Sequence, residues 1–163
     1  MPDMLAHALI AYTVCRLVSL RIGWFTTPYV TAGMAGAFIP DLLKVKHLVS
    51  DATMESLLGV PFSWGALQTF GGATLCVLVG VVLVPPGERR RVGTALSVGA
   101  ATHMVSDAML LTATGRSFPV LWPLTSYVPP TPGLYLSTEP GPTVVAAVAA
   151  GIAWLAARRA SAR

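Results

Sequence analysis

The stretch ALQTFGGATLCVLVGVVLV, residues 66–84, carries no charged side chain from end to end. A helix needs about 20 predominantly apolar residues, with about 17 the lower end, to cross the hydrocarbon core of a bilayer. This run meets that requirement, and residues 92–112 meet it again downstream. Outward from these two, residues 4–20 reach the lower limit, while 29–43 and 143–157 are short at 15 residues each. The short runs either extend into their flanks or lie partly embedded beside the longer helices. Composition points the same way. Of the 163 residues 54% are hydrophobic and 11% charged, with mean hydropathy +0.67. Soluble domains average roughly 25% charged residues, so this chain could not cover the surface of a soluble globule. Disorder requires the opposite bias.

The expected fold is therefore all-α: an integral membrane bundle of about five helices forming a single membrane domain over residues 1–163. Helices are the natural reading because an open sheet edge does not survive in lipid. Thirteen prolines and fifteen glycines exclude a set of featureless rods. The two cysteines, Cys15 and Cys76, both sit in apolar runs and supply neither a disulfide framework nor a thiolate metal site. Met1-Pro2-Asp3 offers no basic region of the kind that opens a signal peptide.

The net charge of +4 does not imply a nucleic-acid partner, because the basic residues flank apolar runs and form no stripe interleaved with aromatics. They set orientation instead. With the N-terminus outside, the cytoplasmic side receives Arg16, Arg21, Arg89, Arg90, Arg91, Arg158, Arg159 and Arg163. The outer side receives only Lys44, Lys46 and Arg116, as the positive-inside rule favours. The C-terminus is then cytoplasmic. Six of the seven acidic residues (Asp3, Asp41, Asp51, Glu55, Asp107 and Glu139) fall on the outer side or in the outer half, and only Glu88 falls inside.

Two segments are neither spans nor ordinary loops. Residues 41–60 mix Leu42, Leu43, Val45, Leu48 and Val49 with Lys44, Lys46 and His47, and read as an amphipathic interfacial segment broken near Asp51, a helix N-cap. Residues 113–142 contain seven prolines together with Phe118, Trp122, Tyr127 and Tyr135. Long loops are functional or disordered, and aromatics favour the headgroup layer, so this one reads as an ordered cap on the outer face.

The strongest chemical signal is Ala101-Thr-His103-Met-Val-Ser-Asp107. Four residues apart, His103 and Asp107 share a helix face, where they can bind one metal ion or the carboxylate can orient the imidazole. Ionisable groups inside a span are expensive and default to function, against the alternative of a buried pair that fixes packing. His7 stands near the outer end of the first run and Asp41 follows Pro40. Alone, His7 reads as an interfacial histidine and Asp41 as a helix cap. Their shared outer location with His103 and Asp107 raises both, because two histidines and two carboxylates make a donor set for zinc, or for manganese or iron. His47 is a fifth candidate that reads better as a solvated residue. No P-loop, dinucleotide fingerprint, serine nucleophile elbow or cysteine pair is present.

The order of these motifs resembles a known family. A histidine in an N-terminal apolar helix is followed by Gly36-Ala-Phe-Ile-Pro40-Asp41, His103-x-x-x-Asp107, Thr114-Gly115 and Leu121-Trp122-Pro123. Over roughly residues 4–125 this is similar to the YdjM-type family of inner-membrane metal-dependent hydrolases, some of them LexA-regulated. The family is similar in outline to zinc-dependent phospholipases C. By this resemblance His7, Asp41, His103 and Asp107 correspond to family metal ligands. Two family elements are absent. Pro-Asp-x-Asp-His becomes Pro40-Asp41-Leu42-Leu43-Lys44, and a histidine-containing motif falls near Ser63–Thr69, where Gln68 stands without any histidine. The count leaves donors for a single metal.

The leading expectation is a membrane-embedded hydrolase with one divalent metal on His7, Asp41, His103 and Asp107. Either carboxylate, Asp41 or Asp107, could instead serve as catalytic general base. The resemblance implies phosphate esters or lipid headgroups as substrates, and membrane lipid as surroundings. Two alternatives stay open: a non-catalytic metal-binding relative, and a small transporter with an Asp–His proton relay.

Overall fold

The run 66–84 does not become one helix. In the computed structural model, which describes residues 4–161, it opens as a 3-10 turn, Trp64–Gln68, and breaks at Thr69, whose ψ of 164° is extended. Thr69 then caps the helix that follows by accepting from the Gly72 amide at 3.3 Å. Described residues form α1 (Met4–Ser19), α2 (Thr27–Gly36), α3 (Asp51–Leu58), α4 (Phe70–Val82), α5 (Arg89–Ala108) and α6 (Gly141–Ser161). A second 3-10 segment covers Pro40–His47, and two isolated bridges are the only β-type pairing among the described residues. Among the described residues the fold is all-helical. Arg163, one of the basic residues used for orientation, and Asp3, one of the outer acidic residues, lie outside the described residues.

By length and composition one helix, Gly141–Ala160, is long and apolar enough to cross a membrane. α1 and α4 are apolar but shorter, at 16 and 13 residues. The run 29–43 supplies most of the ten-residue α2, which ends at Gly36, since Pro40 opens the 3-10 segment just beyond it. α5 has the length, at 20 residues, but begins with Arg89, Arg90 and Arg91 and ends beside Asp107.

Five of the helices alternate in direction. Arg16, Ser19 and Leu20 at the end of α1 line one pocket with Thr26 and Thr27 at the start of α2 and Ala157 and Ala160 at the end of α6. Tyr29 of α2 meets Glu88 and Arg91, bringing the start of α5 to the same end. At the opposite end lie the starts of α1, α4 and α6, the ends of α2 and α5, and the loop between α5 and α6. Arg16, Arg21, Arg89, Arg90, Arg91, Arg158 and Arg159 therefore gather at one end and the His and Asp residues at the other, where Arg116 of the loop also lies.

Small residues set the spacing. Every fourth residue of α5 from Ala95 (Ala95, Gly99, His103 and Asp107) is buried, as the 3.6-residue period requires of one face. At Gly99 a Cβ would run into the backbone of Gly33 and Ala37. The absence of that side chain lets α2 and α5 touch backbone to backbone.

Away from this seam two helices expose apolar side chains. Leu75, Leu78, Val79 and Val82 of α4 and Val144, Val145, Val148 and Ile152 of α6 are all exposed. Contiguous apolar surface of this kind marks a face that meets lipid or protein rather than water.

The loop 109–140 is ordered by its own backbone bonds. Leu111 donates to Tyr135, Leu134 to Met109, Ser117 to Pro129 and Thr131 to Gly115. The carbonyls of Val120 and Trp122 accept from Phe70 and Gly71, at 2.7 and 2.8 Å. These are the first amides of α4, which no intrahelical acceptor can reach. Between α2 and α4 the chain runs over the same end. There Ser50, rather than the expected Asp51, is the side-chain cap of α3, accepting from Thr53 at 3.2 Å. Asp51 instead accepts from the Trp64 amide at 3.2 Å, which ties α3 to the next turn.

Candidate metal centre

His7 comes from the first turn of α1, His103 and Asp107 from the last two turns of α5. Packing the two helices in opposite directions brings all three together, with one donor atom from each within 4.8 Å of the others. His7 Nε2 lies 3.3 Å from Asp107 Oδ1, and His103 Nε2 lies 3.2 Å from Oδ2. The imidazoles stack at 3.7 Å between centroids, 17° from parallel. Both histidines are 0% exposed and Asp107 is 3% exposed.

The second nitrogen of His103 is anchored. Its Nδ1 sits 2.7 Å from the Ala37 carbonyl. A carbonyl only accepts, so Nδ1 carries the hydrogen and the Nε2 of the neutral ring keeps its lone pair. The glycine contact of α2 with α5 makes this reach possible. Asp107 is anchored as well, because Gln68 donates from Nε2 to Oδ2 at 2.7 Å. Gln68, singled out in the sequence only as the stand-in for a missing histidine, touches Asp107 directly.

After those two bonds, His7 Nδ1 and Nε2, His103 Nε2 and Asp107 Oδ1 remain buried without an aligned hydrogen-bond partner. The imidazole–carboxylate distances fall in ion-pair range, but the angles are not those of hydrogen bonds. Buried polar atoms are normally paired, so three residues that bring one donor atom each within 4.8 Å of the others, with such atoms left over on all three, mark a place for a cation. Two imidazole nitrogens and a carboxylate suit zinc, and also manganese or iron.

Asp41 is buried at 4% exposure but stands outside this trio. Its Oδ2 accepts from Lys44 Nζ at 2.8 Å, while Oδ1 is buried without a partner. His47 is exposed at the end of its 3-10 segment.

Two contacts were not foreseen. The Ala37 carbonyl that orients His103 is a backbone group, and its only trace in the sequence is the glycine pair Gly33 and Gly36. Tyr135 of the loop donates its hydroxyl to the Ser106 carbonyl, one residue from Asp107. Burial pushes the Tyr135 phenol up to about 12, and the nearby Asp107 carboxylate adds to the rise. Tyr135 also lines a groove of about 560 Å³ with Ile10, Met109, Val145 and Ala146. Comparison with known proteins adds no relative: no family model, no curated protein and no solved structure matched the chain.

Proposed function

We propose that the chain is a multi-pass membrane protein with a single-metal hydrolase centre at its outer end, acting on phosphate esters or lipid headgroups. The observation that carries this reading is the buried His7–His103–Asp107 trio with its donor atoms unpaired. Placing such a set in an apolar bundle costs a few kcal/mol per ionisable group, which packing alone does not require. The order of motifs that resembles the YdjM-type family supports the same chemistry.

In this reading α1, α2, α4, α5 and α6 form the five-helix bundle. The shorter α2 and α4 are continued at the outer end by residues 37–47 and 64–68. The arginine-rich end faces the cytoplasm, which leaves the N-terminus and the metal centre outside. The exposed apolar faces of α4 and α6 meet lipid. α3, with Leu57 and Leu58 exposed, lies at the outer interface.

His7, His103 and Asp107 hold the cation, and zinc is the first choice. A divalent ion there supplies Lewis acidity and lowers the pKa of water to about 7. The Ala37 carbonyl fixes the His103 ring, and Gln68 fixes the Asp107 carboxylate. Asp41, with one oxygen on Lys44 and the other unpaired, is the carboxylate available as general base or further ligand.

The burial of the trio favours one other reading, in which the metal only braces α1 against α5 and the protein is not a catalyst. Turnover separates the two. Purified protein should hydrolyse a phosphodiester such as bis-nitrophenyl phosphate, or a phospholipid. A chelator should abolish this and zinc or manganese restore it. Asp41→Asn should lower the rate at least 100-fold while keeping metal. Metal-loaded wild type without turnover on any of these substrates would establish the bracing role instead.

A further inference from the structure

The opposite end of the bundle carries a second polar feature that the hydrolase reading does not use. A pocket of about 340 Å³ opens between the end of α1, the start of α2 and the end of α6. Its lining includes Arg16, Ser19, Thr26 and Thr27. This volume lies within the range of small-ligand sites.

Arg16 is the charged residue in this lining. Its Nε is buried without a hydrogen-bond partner, and no carboxylate of the described residues lies within ion-pair distance of it. Two charged groups of the same end are engaged elsewhere. Glu88 is taken by Tyr29 and Arg91, and the Arg158 guanidinium lies 4.5 Å over the Trp154 ring. The hydroxyls beside Arg16 are also at hand. Thr26 precedes α2 without using its side chain as a cap. Ser19 spends its proton on the Arg16 carbonyl at 2.6 Å, which leaves Thr26 and Thr27 as the hydroxyl donors.

We infer that this pocket binds a phosphate group, with Arg16 as the charged anchor and Thr26 and Thr27 as hydroxyl donors. A guanidinium is desolvated most readily when it finds a planar or tetrahedral oxyanion to hold in bidentate fashion. Acceptors of that charge are what this pocket lacks and a phosphate supplies. The same chemistry is offered by an anionic phospholipid headgroup and by free inorganic phosphate. The headgroup is the expected source, since the pocket lies at the arginine-rich end, where anionic lipid would meet a cytoplasmic face.

The test uses the full chain purified in an uncharged detergent. Mass spectrometry of the intact complex, with phosphatidylglycerol, phosphatidylcholine or inorganic phosphate added, counts what is retained. Wild type should hold phosphatidylglycerol at least ten-fold more tightly than phosphatidylcholine. Arg16→Gln should abolish that preference, and Arg16→Lys, which keeps charge without the fork, should retain part of it. Thr27→Val, at an exposed position that leaves the fold intact, should weaken retention several-fold. Millimolar phosphate that displaces the lipid identifies free phosphate as a competing ligand at the same site; lipid retained against it identifies the headgroup as the ligand. Equal retention of both lipids with no bound phosphate, or a folded Arg16→Gln protein that keeps the preference, would overturn the proposal.

Discussion

At the scale of single residues, the centre depends on how little each donor is otherwise engaged. His103 has one nitrogen spent on Ala37 and Asp107 has one oxygen spent on Gln68, while both nitrogens of His7 are unspent. Gln68 is the informative position. An imidazole there would stand where an amide now touches Asp107, and would add a donor that binds zinc better than an amide does. Gln68→His should therefore tighten metal affinity by about 10-fold or more, the scale of effect known even for groups that only support a ligand. Competition against a fluorescent zinc chelator reads this directly, and unchanged affinity in a folded variant would mean that position 68 does not face the ion. Most of the trio was legible in the sequence. The i, i+4 spacing of His103 and Asp107 and the placing of ionisable groups in apolar runs are strong signals. What was not legible is the separation of Asp41. Lys44 stands three residues on, but whether the lysine turns to the aspartate or to solvent is decided by the 3-10 geometry of Pro40–His47.

At the scale of elements, the contact of α2 with α5 is the joint that positions the ligands. Gly99→Ala would drive a methyl group into the backbone of Gly33 and Ala37. Overpacking of this kind costs about 1–3 kcal/mol, and here it also draws Ala37 away from His103. The variant should unfold at lower denaturant concentration in detergent and hold metal more weakly than wild type. Gly151→Ala is the contrast, because nothing lies near its Cβ in the middle of α6. It should be neutral or more stable by about 0.5–1 kcal/mol, as Gly→Ala in a helix interior generally is. Helix boundaries were the least legible feature. Hydropathy reports which residues avoid water, and it does not separate a helix from an apolar 3-10 turn. That is why the run 66–84 reads as one span although Thr69 interrupts it. The loop 113–142 was better served, since its aromatics and prolines announced order without announcing its hydrogen bonds.

At the scale of the whole molecule, the alternation of five helices places the arginines and the His–Asp trio at opposite ends. The proposed function sets a bilayer here with its cytoplasmic face at the arginine-rich end. Single cysteines at Ser137 and Gly87, in a protein freed of Cys15 and Cys76, test this. An impermeant thiol reagent applied to intact cells should label position 137 and spare position 87. The reverse pattern would put the metal centre on the cytoplasmic side. The expected orientation rests on the positions of the basic residues alone. The mutual approach of His7 and Asp107 was not legible in the sequence, because it depends on the direction in which α1 and α5 pack.

The most direct test of the account is the metal content of the intact purified protein, measured by plasma mass spectrometry after incubation with zinc, manganese or iron and removal of the excess. Close to one divalent ion per chain is expected, lost in His103→Ala and in Asp107→Ala while the circular dichroism stays helical. Wild-type protein that remains metal-free after all three incubations would contradict it, and the trio would then be a packing arrangement alone.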